Sequence, residues 1–446
     1  MSQRNYGLIA HPVGHTMSPF LHARLFALCG AKAGYGTADV PPEELRAALP
    51  RLRGLDGFNV SIPHKRAIIP LLDGCDERAA AVGSVNTVRN ERGRLTGFTT
   101  DGEGFRLALE AAGVPLRGKV TVLGAGGAAR AIAFEAARAG CSVTVAARPH
   151  SLEAARALCA DLRGRVPGGR AEARTIAELR EPPGLLVNAT PAGMYPNPGS
   201  CAAPEELVAG ASAAFDAVYN PCVTRFLDLA AKHGVPAVNG TGMLVYQAAA
   251  AEGIWLGARF SAGDLRLLCG QTESETKKAY GNVILCGFMG SGKTTCGRLL
   301  AAKTGRKFLD LDEVISRREG MAVPDIFAQK GEAAFRRMER DAARGLALRC
   351  GLVIAAGGGT LLDPENAQAF RQNGIVILLD ASLGAVRARL AGDKTRPLLR
   401  RPGALEELYA ARRAPYRAAA DFAVDADAAP GAVVEKLLGL LRPAAV

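Results

Sequence analysis

The run Gly287-Phe288-Met289-Gly290-Ser291-Gly292-Lys293-Thr294 constrains this chain more than any other stretch. An apolar run, Val283-Ile284-Leu285-Cys286, leads into it, and a helix-forming stretch from Thr294 to Lys303 leads out and stops at Gly305. Strand, glycine-rich turn and helix in that order curl backbone N–H groups around an anion at the positive end of a helix. The pattern is G-x-x-x-x-G-K-[ST], the phosphate-binding loop, in which the lysine reaches β/γ-phosphates and the hydroxyl ligates Mg²⁺. Gly287, Gly290, Ser291, Gly292, Lys293, Thr294 and Thr295 are therefore the expected ATP-binding residues, with Thr294 a metal ligand. A chance glycine turn is the alternative, and the flanking strand and helix argue against it.

This motif begins only near residue 285 of 446, so a large separate part precedes it. In that part, apolar runs alternate with Ala/Leu/Arg-rich helical stretches, which predicts α/β architecture with largely parallel sheets. Residues 270–281, GQTESETKKAYG, are polar and read as a linker. A second glycine motif lies further forward. The strand-like Lys119–Leu123 runs into Gly124-Ala125-Gly126-Gly127-Ala128-Ala129 and a helix to about Ala139. This fits G-x-G-x-x-G/A, in which glycines make the tight turn and let the backbone approach a pyrophosphate. A second strand-like run, Cys141–Ala146, ends at Ala147-Arg148. An NAD site usually carries an acid there, whereas a guanidinium suits a 2′-phosphate, so NADP is favoured over NAD. A surface Arg at a strand end is the alternative.

Ten cysteines without C-x-x-C pairs, and six histidines without H-x-x-x-H spacing, argue for reduced thiols in a cytoplasmic protein and against zinc. No apolar run spans a membrane, and MSQRNYGLIAHPVGH has no long apolar stretch of an export signal. The net charge of +12 is dispersed and aromatics are only 5%, which favours small anionic substrates over nucleic acid. Nothing points to an obligate protein partner.

An ordered series of motifs runs through the front part: His15-Thr16-Met17-Ser18-Pro19, Asn59-Val60-Ser61-Ile62-Pro63-His64-Lys65, Gly83–Thr87 and Thr99-Thr100-Asp101-Gly102. Asn188-Ala189-Thr190-Pro191-Ala192-Gly193-Met194, Asp216–Pro221 and Asn239–Gln247 complete it. Taken singly, a surface Lys65 or a turn-capping Asp101 would be unremarkable; the order over residues 5–265 resembles the shikimate dehydrogenase family. The resemblance implies a substrate domain (1–101, completed by 240–269), a Rossmann NADP domain (102–239), and NADPH-dependent reduction of 3-dehydroshikimate to shikimate. It implies Lys65 and Asp101 as the catalytic pair. Thr16, Ser18 and Tyr219 would hold the substrate carboxylate, and Ser61, Asn86, Asp101 and Gln247 the ring hydroxyls. Gly124, Ala125, Gly126, Gly127, Ala128, Arg148, Gly240 and Met243 would hold NADP. Ala147-Arg148-Pro149 replaces the family's Asn-Arg-Thr, Leu152 stands near a usual basic residue, and Thr16 replaces a usual Ser, which leaves NAD use and quinate tolerance open.

The back part, 282–446, carries Asp310-Leu311-Asp312, Gly331–Glu339 with Phe335-Arg336, Gly357-Gly358-Gly359, Thr395-Arg396-Pro397-Leu398-Leu399 and Arg412-Arg413-Ala414-Pro415-Tyr416. Carboxylates at i and i+2 of a strand point the same way. Together these motifs resemble shikimate kinase, a P-loop, nucleoside-monophosphate-kinase-like three-layer α/β fold. The resemblance implies phosphoryl transfer from MgATP to shikimate. Asp312 would meet the acceptor hydroxyl, Lys293 and Arg396 the transferred phosphoryl group, and Arg389 the adenine. Asp310 would join Thr294 at Mg²⁺. Arg336, Gly357, Gly358, Gly359 and Arg413 would hold the substrate, with Glu339 orienting Arg336. The family's Arg-x-Pro-Leu-Tyr is one residue shorter here, so the choice of Arg413 over Arg412 rests on the proline. Three rivals stand beside this pair of activities: a broad quinate/shikimate dehydrogenase fused to a kinase, a P-loop kinase for another small metabolite, and a degenerate non-enzymatic half.

Overall fold

The computed structural model describes residues 4–14, 16–391 and 403–442. Contacts divide the chain after Ser274 into two compact units. The first unit contains two six-stranded sheets. One is made of β1 (Arg4–Ala10), β2 (Ala33–Asp39), β3 (Gly57–Val60), β4 (Gly74–Cys75), β5 (Thr87–Glu91) and β6 (Arg94–Phe98), in the order β2-β1-β3-β5-β6-β4. β1 runs parallel to β2 and β3, while β5 runs antiparallel to β3 and β6. The antiparallel pair β5–β6 is a tight hairpin whose turn residues Arg92 and Gly93 both have positive φ (55° and 88°), the backbone twist that two-residue hairpins favour.

The second sheet holds β7 (Lys119–Leu123), β8 (Ser142–Ala147), β9 (Arg170–Thr175), β10 (Leu185–Asn188), β11 (Ala213–Asp216) and β12 (Ala237–Val238), ordered β12-β11-β10-β7-β8-β9 and wholly parallel. Both faces are covered, so Val120, Val122, Val143, Val145, Leu186 and Val187 are fully buried. The strand order reverses at β7, and the crevice beyond the strand ends at such a reversal is where a ligand sits.

The helix Gly240–Leu256 returns toward the first sheet: Trp255 Nε1 donates to Val88 O at 2.9 Å, and the Trp255 ring stacks on Tyr6. It also lies close to the helix Asp101–Ala111, because Gly104 and Gly242 keep the contact free of side chains. A Cβ on Gly242 would stand 3.0 Å from that of Ala108, and one on Gly104 3.0 Å from Gln247 N.

The second unit is built on one parallel sheet of β13 (Asn282–Cys286), β14 (Lys307–Asp310), β15 (Leu352–Ala355), β16 (Gly374–Asp380) and β17 (Phe422–Asp425), ordered β14-β15-β13-β16-β17. Here the order reverses at β13, the strand that feeds the phosphate-binding loop. The chain is thus α/β throughout, a Rossmann-bearing front part followed by a P-loop layer.

One sequence expectation needs correcting. Residues 270–281 are not an irregular linker: Ala262–Tyr280 is a single helix of 19 residues. Its inward stripe is Leu265, Leu268, Thr272, Glu275 and Thr276, all buried. Three of those five are polar, so the helical period does not appear as apolar periodicity. Thr272 satisfies its hydroxyl on Leu268 O at 2.7 Å, one turn back.

Candidate active sites

In the first unit the functional cluster forms where β5, β6 and the helix Asp101–Ala111 meet. Lys65 Nζ donates to Asp101 Oδ2 at 2.5 Å, and both side chains are largely buried (15% and 6% exposed). Asn86 Nδ2 lies within hydrogen-bonding distance of Asp101 Oδ1 (3.0 Å), Thr100 Oγ1 (2.8 Å) and Gln247 Oε1 (3.1 Å). Thr100 N donates to Asn86 Oδ1 at 2.7 Å, which fixes the amide's orientation. Lys65 sits on a short helix, His64–Ala67, and its own carbonyl accepts from Val85 N at 2.8 Å, tying the two segments together.

Thr16 and Ser18 form a hydroxyl pair 3.0 Å apart at the start of the helix Ser18–Leu28. A buried relay lies behind them: Tyr35 Oη donates to Asn59 Oδ1 at 2.6 Å, and Asn59 Nδ2 to Asn86 O at 3.1 Å. Sequence reading did not find this relay: Tyr35 lies in no motif, and the motif that holds Asn59 gives no sign of its partner. Ser61 follows β3 and Tyr219 follows β11, both half-buried. His15 lies outside the described residues.

The glycine motif after β7 has the geometry of a dinucleotide cradle. Gly124 adopts φ +106°, and a Cβ there would stand 2.9 Å from Thr190 Cγ2. Gly126 is the N-cap of the helix Gly127–Arg138 and brings no side-chain cap, while a Cβ on it would meet nothing within 4 Å. The helix N–H groups are therefore open to a pyrophosphate. Gly127 abuts Lys65: a Cβ on it would stand 3.1 Å from both Lys65 Cβ and Ser84 Oγ. Arg148 is exposed at the end of β8, free of packing constraints on reaching a 2′-phosphate. These features fit NADP. Gly240 and Met243 lie inside the packing of their helix, Gly240 against the backbone of Ala217 and Val218, and Met243 6% exposed.

Behind this cradle lies a polar pair. Asp216 and Asn188, both fully buried, face each other across β11 and β10. Burial pushes the Asp216 carboxyl up to about 7, against the pull of hydrogen bonds from Thr224, Val218 N and Asn188.

In the second unit, Gly287, Gly290 and Gly292 all take positive φ (141°, 75° and 94°), and Lys293 opens the helix Lys293–Thr304. Lys293 Nζ donates to Gly287 O at 2.9 Å and Phe288 O at 3.2 Å, folding over its own loop. The buried Ser291 hydroxyl finds no partner among the described residues, and a phosphate oxygen would supply one. Thr294 Oγ1 lies 3.1 Å from Asp310 Oδ2, and the other Asp310 oxygen caps Asp312 N. Among the described residues no cluster of three or more His, Cys, Asp or Glu could hold a metal. One hydroxyl and one carboxylate beside a phosphate loop nevertheless fit Mg²⁺, which keeps waters and substrate oxygens as its remaining ligands. Arg389 is held by Gly290 O and by Ala426 O at 2.7 Å, so it stands beside the loop.

Asp312 and Arg336 converge on the triple glycine after β15. A Cβ on Gly357 would stand 2.6 Å from Asp312 Oδ1, and one on Gly359 2.9 Å from Arg336 Cζ. A side chain at either glycine would push these groups out of their present positions. Arg336 Nη1 donates to Glu339 Oε2 at 2.8 Å, and Thr360 Oγ1 locks the other Glu339 oxygen at 2.5 Å. Burial pushes Asp312 up to about 6, helped by the charges of Asp310 and Glu339 and opposed by Lys293 and Arg336.

The paired arginines differ in their surroundings. Arg412 Nη1 donates to Gly358 O at 3.0 Å. Arg413 turns away, half exposed, with Asp380 Oδ2 3.8 Å off. Both lie on the helix Ala404–Ala419, where adjacent residues point about 100° apart. Helical register thus sets Arg412, rather than Arg413, against the triple glycine. Arg396 lies outside the described residues.

Both parts of the chain match known families. Residues 8–88 match the shikimate dehydrogenase substrate binding domain and residues 289–442 match shikimate kinase. A curated shikimate dehydrogenase (NADP(+)) of Symbiobacterium thermophilum is 44% identical over 269 residues, 57% of this chain and 90% of that protein. The crystal structure of shikimate 5-dehydrogenase from Thermus thermophilus with NADP(H) and shikimate is similar at 36% identity and a TM-score of 0.55, over 60% of this chain and all of that one. A chorismate mutase/shikimate 5-dehydrogenase fusion from Clostridium acetobutylicum is similar at 32% identity and a TM-score of 0.56, over 62% of this chain and all of that one. The chain belongs to the shikimate dehydrogenase family, and a shikimate kinase domain follows on the same polypeptide.

Proposed function

We infer that this chain is a bifunctional shikimate-pathway enzyme. Its front part reduces 3-dehydroshikimate to shikimate with NADPH, and its back part phosphorylates shikimate with MgATP. The observation that carries the first activity is the buried Lys65–Asp101 pair set against Gly127 of the dinucleotide loop. Bound NADPH supplies the hydride. Lys65 then delivers a proton to the oxygen left negative, while Asp101, steadied by Asn86, holds Lys65 and a ring hydroxyl. Thr16, Ser18 and Tyr219 hold the carboxylate, and Ser61, Asn86 and Gln247 hold hydroxyls.

In the kinase half, MgATP supplies the phosphoryl group. Asp312 orients the attacking hydroxyl and accepts its proton, and Arg336 and Arg412 grip the carboxylate. Thr294 and Asp310 would hold Mg²⁺. Arg396 keeps its proposed role at the transferred group, and Arg389 at the adenine. The domain division proposed is 1–101 with 240–269, 102–239, and 282–446. A cytoplasmic location is proposed from ten free cysteines; no helix among the described residues is long and apolar enough to cross a membrane.

The test is a product assay on the intact chain given 3-dehydroshikimate, NADPH and MgATP. Shikimate 3-phosphate should appear only when both cofactors are present. Shikimate accumulating with ATP untouched would sink the kinase reading; neither shikimate nor shikimate 3-phosphate appearing would sink the dehydrogenase reading.

A further inference from the structure

We propose that Asn188 and Asp216 act as a positioning pair that holds the dinucleotide loop and the Tyr219 loop in one fixed arrangement. This rests on the dehydrogenase reading above. The two residues end neighbouring strands and lie opposite each other in register. Asp216 Oδ1 accepts from Asn188 Nδ2 at 2.9 Å and from Val218 N at 3.0 Å, and its Oδ2 accepts from Thr224 Oγ1 at 2.5 Å. Val218 N and Thr224 bracket Tyr219, so the carboxylate staples both ends of the loop that carries it. Asn188 Oδ1 accepts from Thr190 N at 3.0 Å and Thr190 Oγ1 at 2.7 Å, and Asn188 Nδ2 also donates to Ala192 O at 3.1 Å. Thr190 in turn presents its methyl to Gly124, the first glycine of the cradle.

Every partner of the two side chains outside the pair itself lies in a loop at the edge of the sheet where the cradle sits, and none lies in the body of a strand. A pair serving only the core would have no reason to use up all its hydrogen bonds in this way. Neither residue is exposed, so neither touches substrate. Their effect passes through Thr190 to the nucleotide and through Val218 and Thr224 to Tyr219. In a buried site such bonds are costly to lose.

The experiment uses the full chain with Asp216→Ala, Asp216→Asn and Thr190→Val, reading NADPH Kd by fluorescence, KM for 3-dehydroshikimate, kcat and Tm. Asp216→Ala should raise the NADPH Kd and the ketone KM together, each roughly tenfold, with a much smaller change in kcat. Asp216→Asn should recover most of both, since its oxygen still accepts from Asn188 and Val218 and its amide donates to Thr224. Thr190→Val keeps the methyl and the backbone bond, loses the hydroxyl's bond to Asn188 and should weaken NADPH alone; it decides the matter if Asp216→Ala does not fold. A folded Asp216→Ala with both constants unchanged, a change in Tm alone, or an unaffected NADPH Kd in Thr190→Val would overturn the proposal. If the unsubstituted chain fails to reduce 3-dehydroshikimate, the functional reading falls, while NADPH Kd across the variants still decides whether the pair governs the cradle.

Discussion

Arg412 and Tyr416 stand one helical turn apart and donate to the same acceptor, the carbonyl oxygen of Gly358. This shared bond locks the face of the helix Ala404–Ala419 against the triple glycine. It follows that Arg412→Ala should raise the KM for shikimate in the kinase reaction at least tenfold, the loss of a charge-assisted contact. Arg413→Ala should leave it within about threefold, because a half-exposed pair contributes little. Steady-state kinetics with shikimate varied at saturating ATP separates them; equal losses would mean that Arg413 also reaches the substrate.

Lys65→Ala should lower reduction of 3-dehydroshikimate by roughly 10²–10⁴-fold, the usual share of a positioned proton donor, while phosphorylation of added shikimate continues. Lys293→Ala should do the reverse. Both rates are measured on one preparation, so each activity serves as the control for the other. A matching fall in both rates for either variant would contradict two independent sites.

Gly124→Ala places a side chain at φ +106° and 2.9 Å from Thr190 Cγ2. The conformational cost is about 1–3 kcal/mol. The expected result is a lower Tm and a raised NADPH KM, with shikimate phosphorylation unchanged. An unchanged NADPH KM would show that the cradle tolerates a side chain there.

In the role proposed for it Asp312 must be ionised to accept a proton, and burial pushes its carboxyl up to about 6. The kinase kcat/KM should therefore fall as pH drops through about 6, at constant Mg²⁺. Stability has the opposite sign. A carboxyl whose folded pKa lies above its unfolded value of 3.8 binds more protons when folded, so this group's contribution to stability declines as pH rises from 3.8 through about 6. Asp312→Asn should abolish phosphorylation yet raise Tm at pH 7.5, and that gain should vanish at pH 4. A Tm gain independent of pH would show that charge is not the cause.

Glycines made much of this legible in advance. Gly124, Gly126, Gly287 and Gly292 mark places where the backbone must turn or lie open, and the flanking strands and helices are where those turns require them. Lys65, Asp101, Asn86 and Gln247 come from separate motifs, yet the fold brings them together. What stayed hidden was hidden for physical reasons. The helix Ala262–Tyr280 buries Thr272 and Thr276 where an apolar pattern would carry leucine or valine. Arg412 is chosen by the direction in which a helix presents its side chains, which spacing from a proline does not convey. The relay from Tyr35 through Asn59 to Asn86 joins residues far apart in sequence, and no spacing within a motif conveys that pairing.

The helix Ala262–Tyr280 carries the backbone without interruption from one unit into the other. A cell that makes this polypeptide makes both catalysts in equal numbers. Expression can raise or lower the pair but cannot change their ratio. The steady-state level of the shared intermediate is then governed by the turnover and affinity of the two sites. A substitution such as Arg412→Ala would alter how much of that intermediate accumulates, at any abundance of the enzyme.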